Sequence, residues 1–427
     1  MSGPQTLASR KGLISWAIYD WANSAFPTVV VTFVFATYFT QGIAANKIIG
    51  TSQWGYAISL SAVAVAFLSP ILGAIADQGG RRKPWLLFFT ILAALSSAFL
   101  WFAKPDPTFV LWALVFVGLG NFAFESGMVF YNAMLPDIAP AHRLGRISGW
   151  GWGTGYAGGL ACLVVALIGF VQAETPWFGV GRDAAANIRS TTLLVAIWFF
   201  IFALPLFFFT KDRQSHGLKI GIAISQGVST LIRTLQQVQH YKNVVRYLLA
   251  RMIYTDGLNT LFAFGGIYAA GTFGFSFTEI IQFGIAINIT AGIGAAAFAW
   301  IDDWIGPKKT ILISIVSLTI LSLLLLVIDS KTLFWVFGLL LGIFVGPAQA
   351  ASRSLMAHMA PAELRAEMFG LYAFSGKATA FLGPAALAFT TDLFDSQRAG
   401  MTTIVVFFVV GGLFLLSVHE PNRKTGD

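Results

Sequence analysis

The stretch Gly-Ala-Ile-Ala-Asp-Gln-Gly-Gly-Arg-Arg-Lys occupies residues 73–83 and separates two long apolar runs, 53–76 and 84–103. Each run has the roughly 20 residues that an α-helix needs to cross the hydrocarbon core of a bilayer. Between them stand one acidic residue, a pair of glycines and three consecutive basic residues, which are typical of a tight polar turn. The stretch therefore predicts two membrane helices joined by a short charged loop.

The rest of the chain repeats this pattern. Of its 427 residues, 56% are hydrophobic and 11% are charged, whereas soluble proteins average about 25% charged residues. A soluble fold is therefore excluded, and we predict an all-α integral membrane protein with twelve transmembrane helices. The predicted spans are 14–42, 53–76, 84–103, 109–134, 147–171, 190–210, 244–272, 279–301, 310–328, 332–356, 368–391 and 399–418.

Positive charge is distributed unevenly between the two sets of loops that an even number of spans creates. Seventeen Lys and Arg residues lie in the loops and tails on the side of the chain termini, and six lie on the other side. Because cytoplasmic segments collect Lys and Arg, we expect both termini in the cytoplasm. The same bias accounts for the net charge of +8 without a nucleic-acid partner.

The long loop at residues 211–243 divides the chain into two sets of six spans, 1–210 and 244–427. Within the loop, apolar residues recur at helical spacing between Arg and Gln residues, which predicts an amphipathic helix lying on the inner membrane surface. Its apolar positions are Val228, Leu231, Ile232, Leu235 and Val238. We expect this helix to act as a tether between the two halves.

Three segments of the first half recur in the second half. The matching pairs are 20–26 with 256–262, both D-x-x-N-[ST]-x-F, 77–83 with 303–309, and the Ala-Pro-Ala triplets at 139–141 and 360–362. The offsets of 236, 226 and 221 residues drift only as loop insertions would make them. Duplicated bundles are a known transporter architecture, so the repeats favour a transporter.

The charged loop after span 2 resembles the signature loop of the major facilitator superfamily. The resemblance is carried by Gly73, Asp77, Gly80, Arg81 and Arg82 at the superfamily's spacing. It implies twelve helices in two pseudo-symmetric six-helix bundles. It also implies that Asp77 and Arg81 belong to a gate that locks the bundles together on the cytoplasmic side when the transporter opens outward.

The corresponding loop after span 8 supplies Asp303, Lys308 and Lys309 to the predicted gate. It departs from the superfamily pattern, because Ala299 stands for the first glycine and Pro307 for an arginine. A gating role is therefore less strongly predicted for this copy.

Two shorter segments, Tyr-Asp-Trp-Ala-Asn-Ser-Ala-Phe at 19–26 and Tyr-Thr-Asp-Gly at 254–257, resemble the vacuolar amino-acid effluxer-like branch of the superfamily. This branch occurs in fungi and widely in bacteria. The resemblance implies a secondary transporter of small polar solutes, with amino acids favoured. It also implies a multi-pass protein of the plasma membrane, with the bacterial inner membrane favoured.

Polar side chains at bilayer depth cost free energy unless they face a cavity or a partner, so each is a functional candidate. They concentrate on spans 1, 4, 7 and 10, which line the central cavity in the superfamily by resemblance. The candidate substrate- or ion-binding residues are Asp20, Asn23, Ser24, Asn121, Glu125, Arg251, Asp256, Asn259, Thr260, Gln349, Arg353 and Lys377.

Two of these candidates, Asp20 and Asp256, are expected to approach each other as paired carboxylates. Arg251 or Lys377 is the expected neighbouring cation, which would lower a carboxylate pKa that burial raises. Arg353 lies close enough to the end of its span that we expect it to extend into water.

The residues exclude some functional classes and leave others open. A G-x-G-x-x-G match at 153–158 lies inside an apolar span and follows no strand, so we predict no nucleotide site. With a single cysteine, Cys162, and no nucleophile–base cluster, we expect no metal, no cofactor and no enzymatic activity. Coupling to protons or sodium, an uncoupled facilitator, a sugar or small-peptide substrate, and a transport-dead receptor or scaffold all stay open. We expect a monomer in the lipid bilayer.

Overall fold

The apolar runs form α-helices, and no β-strand occurs in the part of the chain that the structure describes. The computed structural model describes residues 9–218, 220–236 and 238–420. Helices are numbered by predicted span, with the linker helix named separately. Their bounds are α1 Arg10–Ile43, α2 Lys47–Gly79, α3 Lys83–Phe102, α4 Pro107–Ile138, α5 Ala141–Val171, α6 Asp183–Phe209, linker helix Ile220–Gln236, α7 Lys242–Phe273, α8 Phe277–Ile305, α9 Pro307–Val327, α10 Lys331–Met359, α11a Arg365–Ser375, α11b Leu382–Phe394 and α12 Gln397–Leu416.

Ten helices of the described residues are long and apolar enough to cross a membrane. The other two spans are α7, which carries Arg251 and Asp256 within its length, and the divided α11. Charged side chains and irregular backbone are tolerated in a membrane span where it faces a cavity or is buried in protein. The all-α membrane fold predicted from the sequence is confirmed.

Span 11 is predicted as one helix over 368–391, but the backbone leaves the helix over residues 376–381. The break begins at Gly376, a poor helix former. It is followed closely by Pro384, which has no N–H to bond to the carbonyl of Ala380. Irregular backbone at membrane depth is tolerated only where it is buried in protein or lines a cavity.

Span 1 is distorted near its middle. A regular helix runs as far as Asn23, and the chain then widens into π-helical turns over Phe26–Phe33. Pro27 is the local cause, because it lacks the N–H that would bond to the carbonyl of Asn23. Spans 1 and 11 are therefore both irregular at mid-depth.

Hydrogen bonds between helix ends define one face of the molecule, the linker face. The Thr210 hydroxyl at the end of α6 donates to the Gly12 carbonyl of α1 at 3.0 Å. Asn243 at the start of α7 donates to the His419 carbonyl after α12 at 2.6 Å. The two described chain ends and the linker helix therefore lie on this face.

Contacts between the two halves of the chain include α2 against α11a and α5 against α8. Glycines permit the close approach in both places. A Cβ at Gly73 would lie 2.2 Å from the Ala366 carbonyl oxygen, and a Cβ at Gly149 would lie 2.6 Å from that of Ala295. Both contacts occur within a few turns of the linker face, so the two halves meet tightly there.

The linker helix lies against the end of α2. Gly227 packs on the backbone of Ile75, where a Cβ would come within 2.7 Å of its Cα. Gln78 donates a side-chain hydrogen bond to the Thr230 hydroxyl at 3.2 Å. The helix is therefore packed on protein along one side.

The apolar stripe predicted for the linker helix is only partly buried. Leu231 is 7% exposed, whereas Ile232 is 49% exposed. The side chains of Leu235 and Val238 lie outside the described part of the chain. Small residues are buried instead on the side that meets α2, namely Ala223 and Gly227, because they allow the helix to approach α2 closely.

Candidate functional site

A buried ion pair links the two halves on the linker side of mid-depth. Asp20 of α1 and Arg353 of α10 are 5% and 1% exposed, and Arg353 Nη1 lies 3.1 Å from Asp20 Oδ2. Arg353 also donates to Asn132 Oδ1 at 3.3 Å, and to the Ser148 hydroxyl and carbonyl at 2.9 and 2.6 Å. The Tyr131 hydroxyl donates to Asp20 Oδ2 at 2.9 Å. These five residues are called the Asp20 network.

The surroundings of the Asp20 network compensate for burying its charges. Two charges removed from water are stabilised only when their remaining donors and acceptors are satisfied. Arg353 donates to four oxygens on three helices, and its guanidinium lies 5.0 Å from the centre of the Trp16 ring. The network therefore ties α1, α4 and α5 to α10, and separating the halves here requires rehydrating both charges.

Two sequence-based expectations about this pair are wrong. Arg353 does not extend into water, since its side chain is 1% exposed. The cation beside Asp20 is Arg353 rather than Arg251 or Lys377. The cause is the rotation of α10 about its axis, which presents Arg353 to α1 and α5. The position of Arg353 along the span does not predict which way it faces.

A second ion pair crosses between the halves at mid-depth. Glu125 Oε1 of α4 lies 2.7 Å from Lys377 Nζ, and the two side chains are 24% and 26% exposed. Lys377 belongs to the break in α11. Glu125 stands thirteen residues before the end of α4, which is about 20 Å of helix from the linker face. The sequence predicts each as a cavity residue, and the structure pairs them.

Asp256 and Thr260 of α7 are 1% and 0% exposed and face α11b. A Cβ at Gly383 of α11b would lie 2.0 Å from the Thr260 hydroxyl oxygen. Asp256 and Asp20 therefore have different neighbours, contrary to the expected approach of the two carboxylates. The repeated D-x-x-N-[ST] segment is ion-paired in α1 and packed against a broken helix in α7.

The remaining first-half candidates make local contacts. Asn23 donates to the Met128 sulfur at 3.2 Å, and the Ser24 hydroxyl donates to Asn23 Oδ1 at 3.3 Å. Asn121 donates to the Ser61 hydroxyl of α2 at 2.8 Å. Asn121 therefore serves packing within the first half, whereas Asn23 and Ser24 stand where α1 becomes irregular.

The remaining second-half candidates differ in environment. Gln349 of α10 accepts a hydrogen bond from the Tyr156 hydroxyl of α5 at 2.8 Å, which is another contact between halves. The Arg251 guanidinium lies 3.5 Å from the centre of the Tyr372 ring and donates to the carbonyl of that residue at 2.7 Å. Asn259 is exposed. Arg251 therefore supports the start of the break in α11 rather than either aspartate.

The predicted gate lies at the linker face. Asp77 Oδ1 accepts a hydrogen bond from Arg82 Nη2 at 3.3 Å, and Asp77 Oδ2 accepts the backbone N–H of Glu367 in α11a at 2.9 Å. The arginine that pairs with Asp77 is therefore Arg82 and not the predicted Arg81, which is exposed. Gly80 has a φ of 83°, so the chain turns sharply after α2 and directs Arg82 inward.

Asp137 at the end of α4 was not predicted, yet it pairs with three arginines. Its Oδ2 contacts Arg82 and lies 3.1 Å from Arg213 Nε, and its Oδ1 contacts Arg365. These arginines come from the start of α3, the linker segment and the start of α11a. This set, called the Asp137 cluster, joins both halves and the segment that connects them.

Only part of the second signature copy reaches across the halves. Asp303 accepts the backbone N–H of Arg146 in α5 at 3.0 Å and lies 3.2 Å from its Nε. Lys308 donates to the Leu416 carbonyl at 2.8 Å within the second half, and Lys309 is exposed. The expected gate role of the two lysines is therefore not supported by their contacts.

An apolar cavity of about 330 Å³ opens between α1 and the second half, nearer the opposite face. Aliphatic and aromatic side chains make up most of its lining, and the aromatic ones include Phe33, Phe262, Phe283 and Phe334. None of the predicted candidate residues is among the described residues that line it. The two ion pairs of the membrane interior lie nearer the linker face.

The sequence matches the family described as "Vacuole effluxer Atg22 like" over residues 41–425. The chain belongs to this family. The Atg22-like chain is 27% identical over 409 residues to the MFS-type transporter YxiO of Bacillus subtilis (strain 168), covering 95% of this chain and 94% of the relative. It is 23% identical over 461 residues to autophagy-related protein 22 of Yarrowia lipolytica, covering 87% and 76%.

Solved structures share the fold of the Atg22-like chain. The proton:xylose symporter XylE aligns with a TM-score of 0.74 and 12% identity over 96% of both chains. The transporter FucP in the outward conformation aligns with a TM-score of 0.73 and 14% identity over 96% of this chain and 99% of that one. The predicted major facilitator fold is therefore confirmed. The Atg22-like chain is a multi-pass secondary transporter, in a family that is not enzymatic.

Sequence reasoning missed several residues of the Atg22-like site. Tyr131 and Ser148 carry no signal of their own, because their partners are distant in sequence. Asp137 and Arg365 do carry one, since each stands close to an Ala-Pro-Ala triplet of the internal repeat. Repeated segments mark equivalent helix ends, and charged residues beside them are candidates for contacts between the halves.

Proposed function

We propose that this Atg22-like transporter carries a zwitterionic solute, with an amino acid favoured, by alternating access around the Glu125–Lys377 pair. One carboxylate and one ammonium group 2.7 Å apart match the ammonium and carboxylate groups of an amino acid. The pair is half-buried rather than sealed. A substrate can therefore replace each partner's charge without leaving either one uncompensated.

The position of the pair supports this proposal. Lys377 lies in the broken segment of α11, and transporters commonly bind substrates at discontinuous helices near the bilayer midplane. The Asp20 network and the Asp137 cluster lie between the pair and the linker face. They form two closed layers on that side, so the described conformation has its substrate path closed toward the linker face.

Alternating access then requires these layers to separate. Opening toward the linker face breaks the Asp20–Arg353 pair and the contacts of Asp77 and Asp137, each of which joins different halves. Of the two layers, the Asp137 cluster lies nearer the linker face, so water replaces its broken contacts more readily. Rocking of residues 1–210 against 244–427, connected by residues 211–243, provides the motion.

The membrane orientation and assembly complete the proposal. The excess of Lys and Arg favours a cytoplasmic linker face, in the plasma membrane of a bacterium. A cysteine at the exposed Ser215, in a Cys162→Ala background, would be protected from an impermeant thiol reagent added outside intact cells. Labelling from outside would reverse the orientation. The transporter would function as a monomer, since both layers are built within one chain.

Binding and transport measurements with charge-removing variants test the substrate class. Thermal-shift screens of amino acids, sugars and small peptides on purified protein come first, followed by uptake into proteoliposomes. We expect stabilisation by amino acids, and affinity at least about tenfold lower in Glu125→Gln and Lys377→Met, because each leaves one substrate charge unpaired.

A matched control is the Glu279–Lys331 pair at the opposite face, which also has an N–O distance of 2.7 Å. Glu279→Gln should change affinity less than about twofold, since exposed pairs contribute little. Stabilisation by sugars alone, or amino-acid affinity that Glu125→Gln leaves unchanged, would refute the zwitterion proposal. Absence of any flux would favour a receptor or scaffold.

A further inference from the structure

Asp256 differs from the other buried carboxylates of the membrane interior. Asp20 is paired with Arg353 and Glu125 with Lys377, but within the described part of the chain no Lys, Arg or His is paired with Asp256. Its side chain is 1% exposed, and its Oδ1 atom is buried without a hydrogen-bond partner. An ionised carboxylate in such a place needs a compensating cation.

Two threonines stand near Asp256. Thr260 stands one turn further along α7, on the same face as Asp256, and is fully buried. Thr379 lies in the break of α11 and adjoins the Asp256 carboxylate, but its hydroxyl makes no hydrogen bond of normal geometry. Gly383 lets α11b approach so closely that a Cβ there would lie 3.0 Å from the Asp256 carbonyl.

The Thr260 hydroxyl lacks the hydrogen bond that several other helical threonines of this chain make. Thr90, Thr310 and Thr390 each donate to the carbonyl four residues earlier, at 2.7, 2.9 and 2.7 Å. This bond is the ordinary way to satisfy a buried hydroxyl in a helix. Among the described residues the Thr260 hydroxyl oxygen has no hydrogen-bond partner, so its lone pairs remain available to a ligand.

We infer that Asp256, Thr260 and Thr379 form a binding site for a single sodium ion. One carboxylate balances one monovalent charge, and the hydroxyl oxygens supply neutral ligands of the hard type that such cations prefer. The irregular backbone of α11 can add carbonyl oxygens, as interrupted helices do at sodium sites in transporters. A proton would also neutralise the carboxylate, but it would not be coordinated by the oxygens of both hydroxyls.

The placement of this site connects the ion to the substrate, and in this respect the inference rests on the proposed function. Thr379 and Lys377 are two residues apart in the same break. An ion that joins Thr379 to α7 would order the segment that presents Lys377 to Glu125. Binding of sodium and of substrate would therefore be mutually favourable.

The test measures sodium binding without substrate, so that its failure is separate from failure of the zwitterion proposal. Purified full-length transporter is titrated with NaCl against choline chloride at constant ionic strength and pH, and the thermal unfolding midpoint is followed. We expect a saturable stabilisation by sodium in the wild type. It should be absent in Asp256→Asn and at least about fivefold weaker in Thr260→Val and Thr379→Val.

Thr391 provides a matched control, because its hydroxyl is also buried without a partner on α11b but faces Gly400 of α12. Thr391→Val should bind sodium like the wild type. Equal responses to sodium and choline, or sodium binding retained in Thr260→Val and Thr379→Val, would overturn the inference even if Asp256→Asn fails to fold. A stabilisation that depends on pH and not on sodium, and that Asp256→Asn removes, would overturn sodium in favour of a proton.

Discussion

The contact of α2 with α11a and the contact of α8 with α5 are built on the same plan at the linker face. Asp77, two residues before the end of α2, accepts the N–H of Glu367, the third residue of α11a, at 2.9 Å. Asp303, two residues before the end of α8, accepts the N–H of Arg146, the third residue of α5's regular part, at 3.0 Å. In each case a carboxylate from one half caps a helix that belongs to the other half.

This arrangement is favourable and readily reversible. The first N–H groups of a helix have no partner within it and carry the positive end of the helix dipole, so a carboxylate stabilises them. Water can replace the carboxylate when the halves separate. The paired caps therefore suit an interface that must form and break, which fits the alternating access proposed above.

The two contacts differ in what surrounds the carboxylate. Arg82, the partner of Asp77, is 1% exposed and also contacts Asp137. Arg146, the partner of Asp303, is 34% exposed. The cation of the first contact is therefore buried, whereas the cation of the second is partly open to water.

The largest effect is expected from Asp137→Asn, which keeps the side-chain volume but removes the charge shared by three arginines. Breaking a buried ion pair costs about 3–5 kcal/mol. We expect a loss of stability at the lower end of this range, because Arg82 keeps its ion pair with Asp77. Thermal unfolding in detergent measures the loss. Labelling of a cysteine at the buried Ala350, in a Cys162→Ala background, should increase as the linker face opens.

Asp303→Asn is the control for this prediction at the second contact. Arg146 is partly open to water and Asp303 is 8% exposed, so the loss of stability should be smaller than that of Asp137→Asn. Equal losses in the two variants would show that buried charge does not distinguish the two contacts.

A smaller difference is expected between Asp77→Ala and Asp303→Ala. Both remove a helix cap worth about 0.5–2 kcal/mol, but only Asp77→Ala also leaves a buried arginine with one partner fewer. Asp77→Ala should impair transport while leaving membrane insertion near normal. Uptake at equal expression should fall severalfold more in Asp77→Ala than in Asp303→Ala, and the reverse order would contradict the proposed asymmetry.

The spans and the equivalent aspartates of the two contacts could be predicted from the sequence, but the partners of the charged residues could not. The internal repeat reveals Asp77 and Asp303 as equivalent positions, and apolar length reveals the spans. Asp137 is missed because its partners Arg213 and Arg365 are 76 and 228 residues away in the chain. Contacts of that kind depend on how helices rotate and pack, which periodicity does not determine.

The break in α11 shows the same limit in a different form. Gly376 and Pro384 indicate a weakened helix, but the sequence does not show that the break lies opposite Glu125. That pairing arises only when α4 and α11 are placed across the interface between halves. The candidate residues could therefore be predicted individually, whereas their partners could not.

The smallest effects are expected at the basic residues that resemble the signature but lie outside the contacts. Arg81 is exposed, and among the described residues Lys308 bonds within its own half. Arg81→Gln and Lys308→Gln should therefore leave uptake within about twofold of the wild type, since surface substitutions usually change stability by less than about 0.5 kcal/mol. Arg82→Gln should reduce uptake strongly, because it leaves Asp77 and Asp137 without their shared cation. If Arg81→Gln instead reduced uptake as much as Arg82→Gln, the turn at Gly80 would present Arg81 to Asp77 at another stage of transport. The buried Asp77–Arg82 pair would then belong to only one stage of the cycle.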